Sequence, residues 1–407
     1  MTSPSSVAGA PEVPVPERGF PIKEFESRTK RAQQMLAERR LDAMLVCTEP
    51  EVRYLTGFHT PFWQSPTRPW FVVLPVDGKP IAVIPAIGAS SMTATWIDDV
   101  RTWPAPRPVD DGLELLVDTL VEVADRRVDP SGRIGLPMGH ETHVRMPLSD
   151  LDALRDRIAP TVFVDATDVV RSLRMVKSPR EVQKVAHICD VVSGAFEGLG
   201  DLLSTGMTER EAFAAFRIDL LRRGADDVPY LVGASGPGFD DIIRQPSDRE
   251  IRTGDLLMFD TGSIFDGYSS DFDRYVAFGR ADDDARRAYE TVWAATEAGL
   301  AAVLPGATTS DLWRAMAEVL DGGGPASGSL ANSVGRLGHG LGMQVTEWPS
   351  NTADDGTMLV EGMVMTLEPS LTWAPGRMMV HEENLVVRAD GPELLSRRAP
   401  AELPILG

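Results

Sequence analysis

The stretch FDTGSIFDGYSSDFDRYVAF, residues 259–278, constrains this chain more than any other. Its apolar and aromatic residues read as two β-strands joined by a turn, yet it carries Asp260, Asp266, Asp271 and Asp273, and aspartate is disfavoured in strands. Asp266 stands before Gly267 and is explained as a turn residue. Asp260 and Asp271 are eleven residues apart, so a hairpin turning through Gly262 and Gly267 brings their side chains face to face. Two ionised carboxylates at that range repel unless a cation lies between them. Asp273, two residues beyond Asp271, falls on the same face by strand alternation. The fold must supply something that compensates for this charge.

Composition narrows what that is. With 407 residues, 43% of them hydrophobic, the chain buries a large core and divides into two or three domains. Its 40 basic and 60 acidic residues give a net charge of −20, which opposes binding to nucleic acid or to an anionic membrane and favours a small-molecule or peptide substrate over a polyanion. Cys47 and Cys189 are far apart and in apolar surroundings, which argues for core packing in a reducing cytoplasm rather than a disulfide framework. Residues 1–19, rich in Pro, Ser and small side chains, read as a disordered tail without a signal peptide's apolar region. No segment approaches the ~20 unbroken apolar residues of a membrane span.

Residues 20–165 alternate helix and strand: an amphipathic helix over 24–40, the strand LDAMLVC, strands over 70–75 and 80–84, a helix over 112–124 and the strand RIGLP. That pattern predicts an α/β domain. RSLRMVKSPREVQKVAHICDVVSGAF opens a long helical segment, with Ser178 and Pro179 placed as N-cap and first helical residue. From 175 to 407 helices over 208–223, 283–303 and 310–320 are separated by strands with acidic residues, which predicts an α+β, mostly antiparallel domain.

Three later segments carry further ligand types: His339 in LGHGLGMQVTEWPS, Glu368 in MVMTLEPSL, and Glu382 with Glu383 in MMVHEENLVV. A single Glu in a strand is ordinarily a surface residue, and a single His ordinarily structural. Together with the aspartates they make four carboxylates and one imidazole, the oxygen-rich set that holds two divalent metals sharing a bridging water. In this order, with His in a GHG and Glu in a LEP context, the chain resembles the pita-bread metallopeptidases, which include Xaa-Pro dipeptidases, aminopeptidase P and creatinase. EVRYLTGF and RMVKSPREV resemble that family's N-terminal creatinase-like domain and the start of its catalytic domain. The resemblance covers about residues 20–400. It implies that Asp260, Asp271, His339, Glu368 and Glu382 ligate two divalent ions (Mn, Fe, Co or Zn), with a bridging hydroxide as nucleophile, His339 and Glu368 in catalysis and Glu368 as proton shuttle. Glu382 is preferred to Glu383 because the family's last glutamate stands nine residues before a glycine, here Gly391. A homodimer is implied by the same resemblance.

The chain also departs from that family. Histidines expected seventeen residues before the first aspartate and seven after the metal histidine are replaced by Ile243 and Thr346, and the arginine two before the last glutamate by Val380. Each loss removes a donor for an oxyanion, a class of interaction worth ~3 kcal/mol. Asp273 stands where threonine is usual, as an extra base, an added ligand or an ion pair with Arg274 or another arginine. Trp63 and Arg68, in HTPFWQSPTRPWF, are substrate-binding candidates by analogy with creatinase-like dimers, and Asp241, Arg244 and Thr346 are candidates beside the missing histidines. The leading expectation is a dinuclear hydrolase of an amide or peptide C–N bond, Xaa-Pro dipeptidase-like. Alternatives are a metal-dependent lyase of the dimethylsulfoniopropionate lyase type and a non-catalytic pita-bread binding module.

Overall fold

The computed structural model describes residues 13–125, 132–322 and 335–407. Of the expected disordered tail, residues 1–12 lie outside the described residues, while 13–19 carry no helix or strand. Two compact units divide the chain: Glu17–Arg174, and Met175–Gly407 together with the described residues 13–16.

The first unit is a six-stranded sheet of β1 (Ala43–Val46), β2 (Phe71–Pro75), β3 (Ile81–Pro85), β4 (Asp99–Trp103), β5 (Arg133–Leu136) and β6 (Val162–Asp165), in the order β4-β3-β2-β1-β5-β6. The β1–β2 and β2–β3 pairs are antiparallel and the other three parallel. All four residues of β1 are buried, as befits an apolar strand with a neighbour on each edge. Leu116 and Leu120 of the helix Leu113–Asp125 join Leu45, Val73, Val83 and Ile134 in one core, each such side chain contributing about 2 kcal/mol.

The second unit begins with the helix Pro179–Glu197. Ser178 and Glu181 exchange side-chain to backbone hydrogen bonds at its start, a capping box with proline in the first turn. The helix starts at Pro179 with Ser178 as its N-cap, as expected, and the residues before it, Thr167–Met175, form a helix of their own. Residues 176–178 separate the two because proline disfavours helical geometry at Ser178, and because Val176 bridges to Met363 instead.

Strands β7 (Asp227–Gly236), β8 (Leu256–Phe265), β9 (Tyr268–Ser269) and β10 (Phe272–Phe278) form the first sheet of this unit, with β18 (Ile405–Leu406) on its far edge. The second sheet runs β12 (Glu347–Ser350), β11 (His339–Gly340), β13 (Val364–Leu367), β16 (Glu383–Arg388), β17 (Gly391–Leu394), and β14 (Ser370–Ala374) pairs separately with β15 (Arg377–Val380). Every pairing is antiparallel except β10 with β18. Helices Pro179–Glu197 and Glu209–Arg223 pack on β8 and β7, while Asp283–Ala302 and Thr309–Gly322 pack on each other. Tyr289, Val292, Leu312, Met316 and Leu367 belong to the core beneath the second pair. Among the described residues no helix is long and apolar enough to cross a membrane.

Candidate metal centre

Asp266 and Gly267 form the two-residue loop between β8 and β9, both with positive φ (46° and 80°), the geometry that suits the twist of a tight hairpin. This turn sets the register of everything beyond it. The residue directly opposite Asp260 is Asp273, not Asp271. Asp271 lies just before β10, one alternation step from Asp273 and on the same face. Gly262, two residues after Asp260, pairs with Tyr230 on β7. A Cβ at Gly262 would lie 2.3 Å from Tyr230 Cε1, so the glycine gives the ring room to cross the sheet. The Tyr230 hydroxyl then meets Asp260 Oδ1 at 3.1 Å and Oδ1 of Asp271.

His339 reaches this face from the start of β11, flanked by two glycines. At Gly338, with φ +137°, a Cβ would sit 2.3 Å from the Thr366 carbonyl oxygen, and at Gly340 it would sit 2.1 Å from that of Trp348. Only glycines let this short strand fit between its neighbours. His339 Nδ1 pairs with the Gly340 carbonyl at 2.9 Å, which leaves Nε2 with its lone pair toward Asp271 Oδ2 (3.3 Å) and Glu368 Oε2 (3.9 Å). Glu382 enters from just before β16, and single ligand atoms of Asp271, His339 and Glu382 all lie within 4.8 Å of one another.

The strand behind Glu382 is firmly held. Glu383 points the other way, to Arg274 Nη2 at 2.8 Å, Arg398 Nη1 at 2.9 Å, the Ala399 amide at 2.9 Å and the Ser396 hydroxyl. Burial alone would raise its pKa, but Arg274 and the other partners hold it at about 2. Asn384 accepts from the Asp271 amide at 2.9 Å and donates to the Asp271 carbonyl, fastening the hairpin to the strand that carries Glu382.

The centre itself is short of positive charge. Asp271, Asp273, His339 and Glu382 are buried, while Asp260 and Glu368 keep partial exposure and mark its open side. Burial is the largest influence on every carboxyl pKa here, and mutual repulsion adds to it at Asp260, Asp273, Glu368 and Glu382. Asp260 is pushed up to about 7, Asp271 and Glu368 upward, and Asp273 and Glu382 well above the usual range. For His339, burial opposes the charge, but Glu368 and Asp271 outweigh it and raise its pKa. Among the described residues, both oxygens of Asp273 and Oε1 of Glu382 have no hydrogen-bond partner. Buried acceptors facing acceptors are costly, and a divalent cation is the species that such a carboxylate and imidazole set accommodates.

The other sequence candidates are placed as follows. Arg244 is ion-paired with the buried Glu209 at 2.6 Å, which also takes the amides and hydroxyls of Ser235 and Ser247. Its charge anchors the 237–249 loop, in which Asp241 and Ile243 are exposed. Thr346 is exposed, and its hydroxyl is 3.4 Å from Arg336 Nη2. Val380 is buried, with its amide on the Tyr275 hydroxyl. Trp63 and Arg68 belong to the first unit. The Trp63 indole is buried beneath Arg145, whose guanidinium also donates to the carbonyls of Trp63 (3.2 Å) and Arg68 (3.3 Å), while Arg68 lies over the Phe62 ring. The ion pair considered for Asp273 is absent: Arg274 Nη1 bonds its main-chain carbonyl, not its carboxylate.

Three residues that sequence reasoning missed stand at or against the centre: Tyr230, Asn384 and Arg336, whose Nε is 3.6 Å from Glu368 Oε1. For Tyr230 the available signal was a glycine in the interior of a strand. The other two gave none.

Residues 182–389 match the sequence profile of metallopeptidase family M24, and residues 28–176 that of the creatinase/prolidase N-terminal domain. The probable dipeptidase PepE of Mycobacterium tuberculosis is 27% identical over 396 residues, covering 96% of this chain and 98% of that protein. An Xaa-Pro dipeptidase of Pyrococcus horikoshii is 27% identical over 262 residues, 62% of this chain and 71% of that one. Among solved structures, dipeptidase PepE from Mycobacterium ulcerans superposes with a TM-score of 0.80 at 28% identity, over 95% of this chain and 99% of the other. Prolidase from Thermococcus sibiricus does so at 0.83 and 23% identity, over 95% and 100%, which shows a shared fold.

Proposed function

Since the chain belongs to metallopeptidase family M24 and is a metal-dependent hydrolase, we propose that it cleaves the C–N bond of a dipeptide or a similarly small amide, in the manner of an Xaa-Pro dipeptidase. What carries this reading is a set of buried acceptors with no hydrogen-bond partner among the described residues, Glu382 Oε1 in the cluster with His339 and Asp271, and the Asp273 oxygens on the strand opposite Asp260. Members of this family use divalent metals, generally two. The residues present fit them: Asp260, Asp271, His339, Glu368 and Glu382 would hold two ions, with manganese the first to test. Such ions supply a Lewis acid for the scissile carbonyl and water activated for attack.

The chain's own groups do the rest. Glu368, on the open side, takes a proton from the attacking water at a carboxylate oxygen and gives it to the leaving nitrogen. The Gly340 carbonyl holds the proton of His339 on Nδ1 and keeps Nε2 as a ligand. The Tyr230 hydroxyl steadies Asp260 and Asp271. Arg336 stands beside Glu368 as a donor where the histidines and arginine usual in peptidases are missing. A homodimer in the cytoplasm is part of this reading, and light scattering on the purified chain tests the first half.

Purification without chelator should give about two equivalents of divalent metal, and a dipeptide panel should show chelator-sensitive hydrolysis restored by manganese. Metal-free protein, active or inactive but indifferent to chelators, refutes the proposal. The relatives bear hydrolase names, so the lyase and non-catalytic alternatives are set aside.

A further inference from the structure

Asp273 is the residue the proposed ligand set does not use. It sits directly opposite Asp260 across the β8–β10 ladder, which puts the two side chains on one face. It is 2% exposed, and neither carboxylate oxygen has a hydrogen-bond partner among the described residues. Arg274 eases its charge from a distance but makes no hydrogen bond to its carboxylate. Arg274, its neighbour in sequence, spends its terminal nitrogens on the carbonyls of Asp273, Glu382 and Arg397 and on the Glu383 carboxylate, all at 2.7–2.8 Å. The Tyr230 hydroxyl serves Asp260 and Asp271. The Tyr275 hydroxyl, on the same strand face, takes the Val380 amide.

A carboxylate stripped of water with no donor in reach is tolerated where a cation completes it. We infer that Asp273 is an added metal ligand on the Asp260 side of the centre, bringing the set to five carboxylates and one imidazole. This rests on the proposed dinuclear site and extends it. Two divalent ions balance four carboxylates, and the fifth leaves one surplus negative charge. A site so rich in hard oxygen donors holds its ions more tightly and selects manganese or magnesium more strongly than one with a neutral hydroxyl at 273.

The test compares wild type with Asp273→Thr and Asp273→Asn, stripped of metal and titrated with manganese by calorimetry, with metal content by mass spectrometry. The inference expects one of two binding events to weaken by about 100-fold in both variants. It also expects the stripped variants to be at least as stable to urea as stripped wild type, since a buried carboxylate with no protein partner is a liability when no cation is present. Two unchanged affinities, or stripped variants less stable than wild type, overturn it. Wild type that binds no manganese sinks both this inference and the proposed function, whereas wild type with two sites matched by both variants sinks this inference alone.

Discussion

Removing the metal should make stability fall as pH rises, which is the reverse of what carboxylates usually do. Asp260 shows the size of the effect. Its pKa rises from 3.8 to about 7 in the folded, metal-free chain, burial being the main cause and Glu368 the next. Ionising it there costs about 4 kcal/mol more than in the unfolded chain, a ceiling because Asp260 keeps some solvent contact. A folded pKa above the unfolded one gives stability that is complete below about pH 4 and is lost as pH climbs through the folded value. Between about pH 5.5 and 7.5 Asp260 alone accounts for about 2 kcal/mol of loss. Asp271, Asp273, Glu368, Glu382 and His339 all have raised pKa values and act in the same direction. For a unit of this size that is a drop in Tm of about 5 °C or more. Thermal unfolding with chelator and with excess manganese, at both pH values, measures it. The metal-free protein should lose stability across the interval and the loaded protein should not. A metal-free Tm that is flat or rising refutes the reasoning.

Thr346→His, at an exposed position, restores one of the missing donors and should raise kcat on Ala-Pro at least tenfold, out of the ~3 kcal/mol such a group supplies; an unchanged rate would mean the missing histidines do not limit peptide turnover. Glu383→Gln leaves Arg274 and Arg398 without their shared carboxylate and should cost about 3–5 kcal/mol in urea denaturation, with weaker metal retention because Glu382 precedes it. Gly262→Ala pushes a methyl group into the Tyr230 ring and should destabilise by about 1–3 kcal/mol, read by thermal unfolding; a neutral effect would show that the ring does not need that gap.

Much of the fold was legible because apolar patterning and punctuation agree along the chain. Ser178 and Pro179 announce a helix start that the capping box realises, and Thr208 caps the helix Glu209–Arg223. The acidic candidates stood out because a charge in an apolar strand is an anomaly. What stayed hidden depends on register and on distance in sequence. That Asp273 rather than Asp271 opposes Asp260 follows from the two-residue turn at Asp266 and Gly267, and a slip of one residue would instead set Phe272 or Arg274 opposite Asp260. Tyrosine is ordinary in a strand, so Tyr230 becomes notable only once Gly262 is known to lie beside it. Asn384 binds Asp271 across 113 residues of chain, and no local pattern encodes that. Trp63 looked accessible in a proline-rich loop, but Arg145, from far along the chain, gathers that loop's carbonyls and lies over the indole.

The anchoring of Glu383 ties the proposed ligands to a stretch of chain that carries none of them. Its partners Ser396, Arg398 and Ala399, and the Arg397 carbonyl that holds Arg274, all belong to the final turn of sequence before β18 closes against β10. None of these residues carries chemistry, yet together with Arg274 and Asn384 they hold the strand that begins beside Glu382. A chain cut at residue 395 would keep every proposed ligand and lose these contacts, leaving the Glu383 carboxylate and the strand beside Glu382 without them.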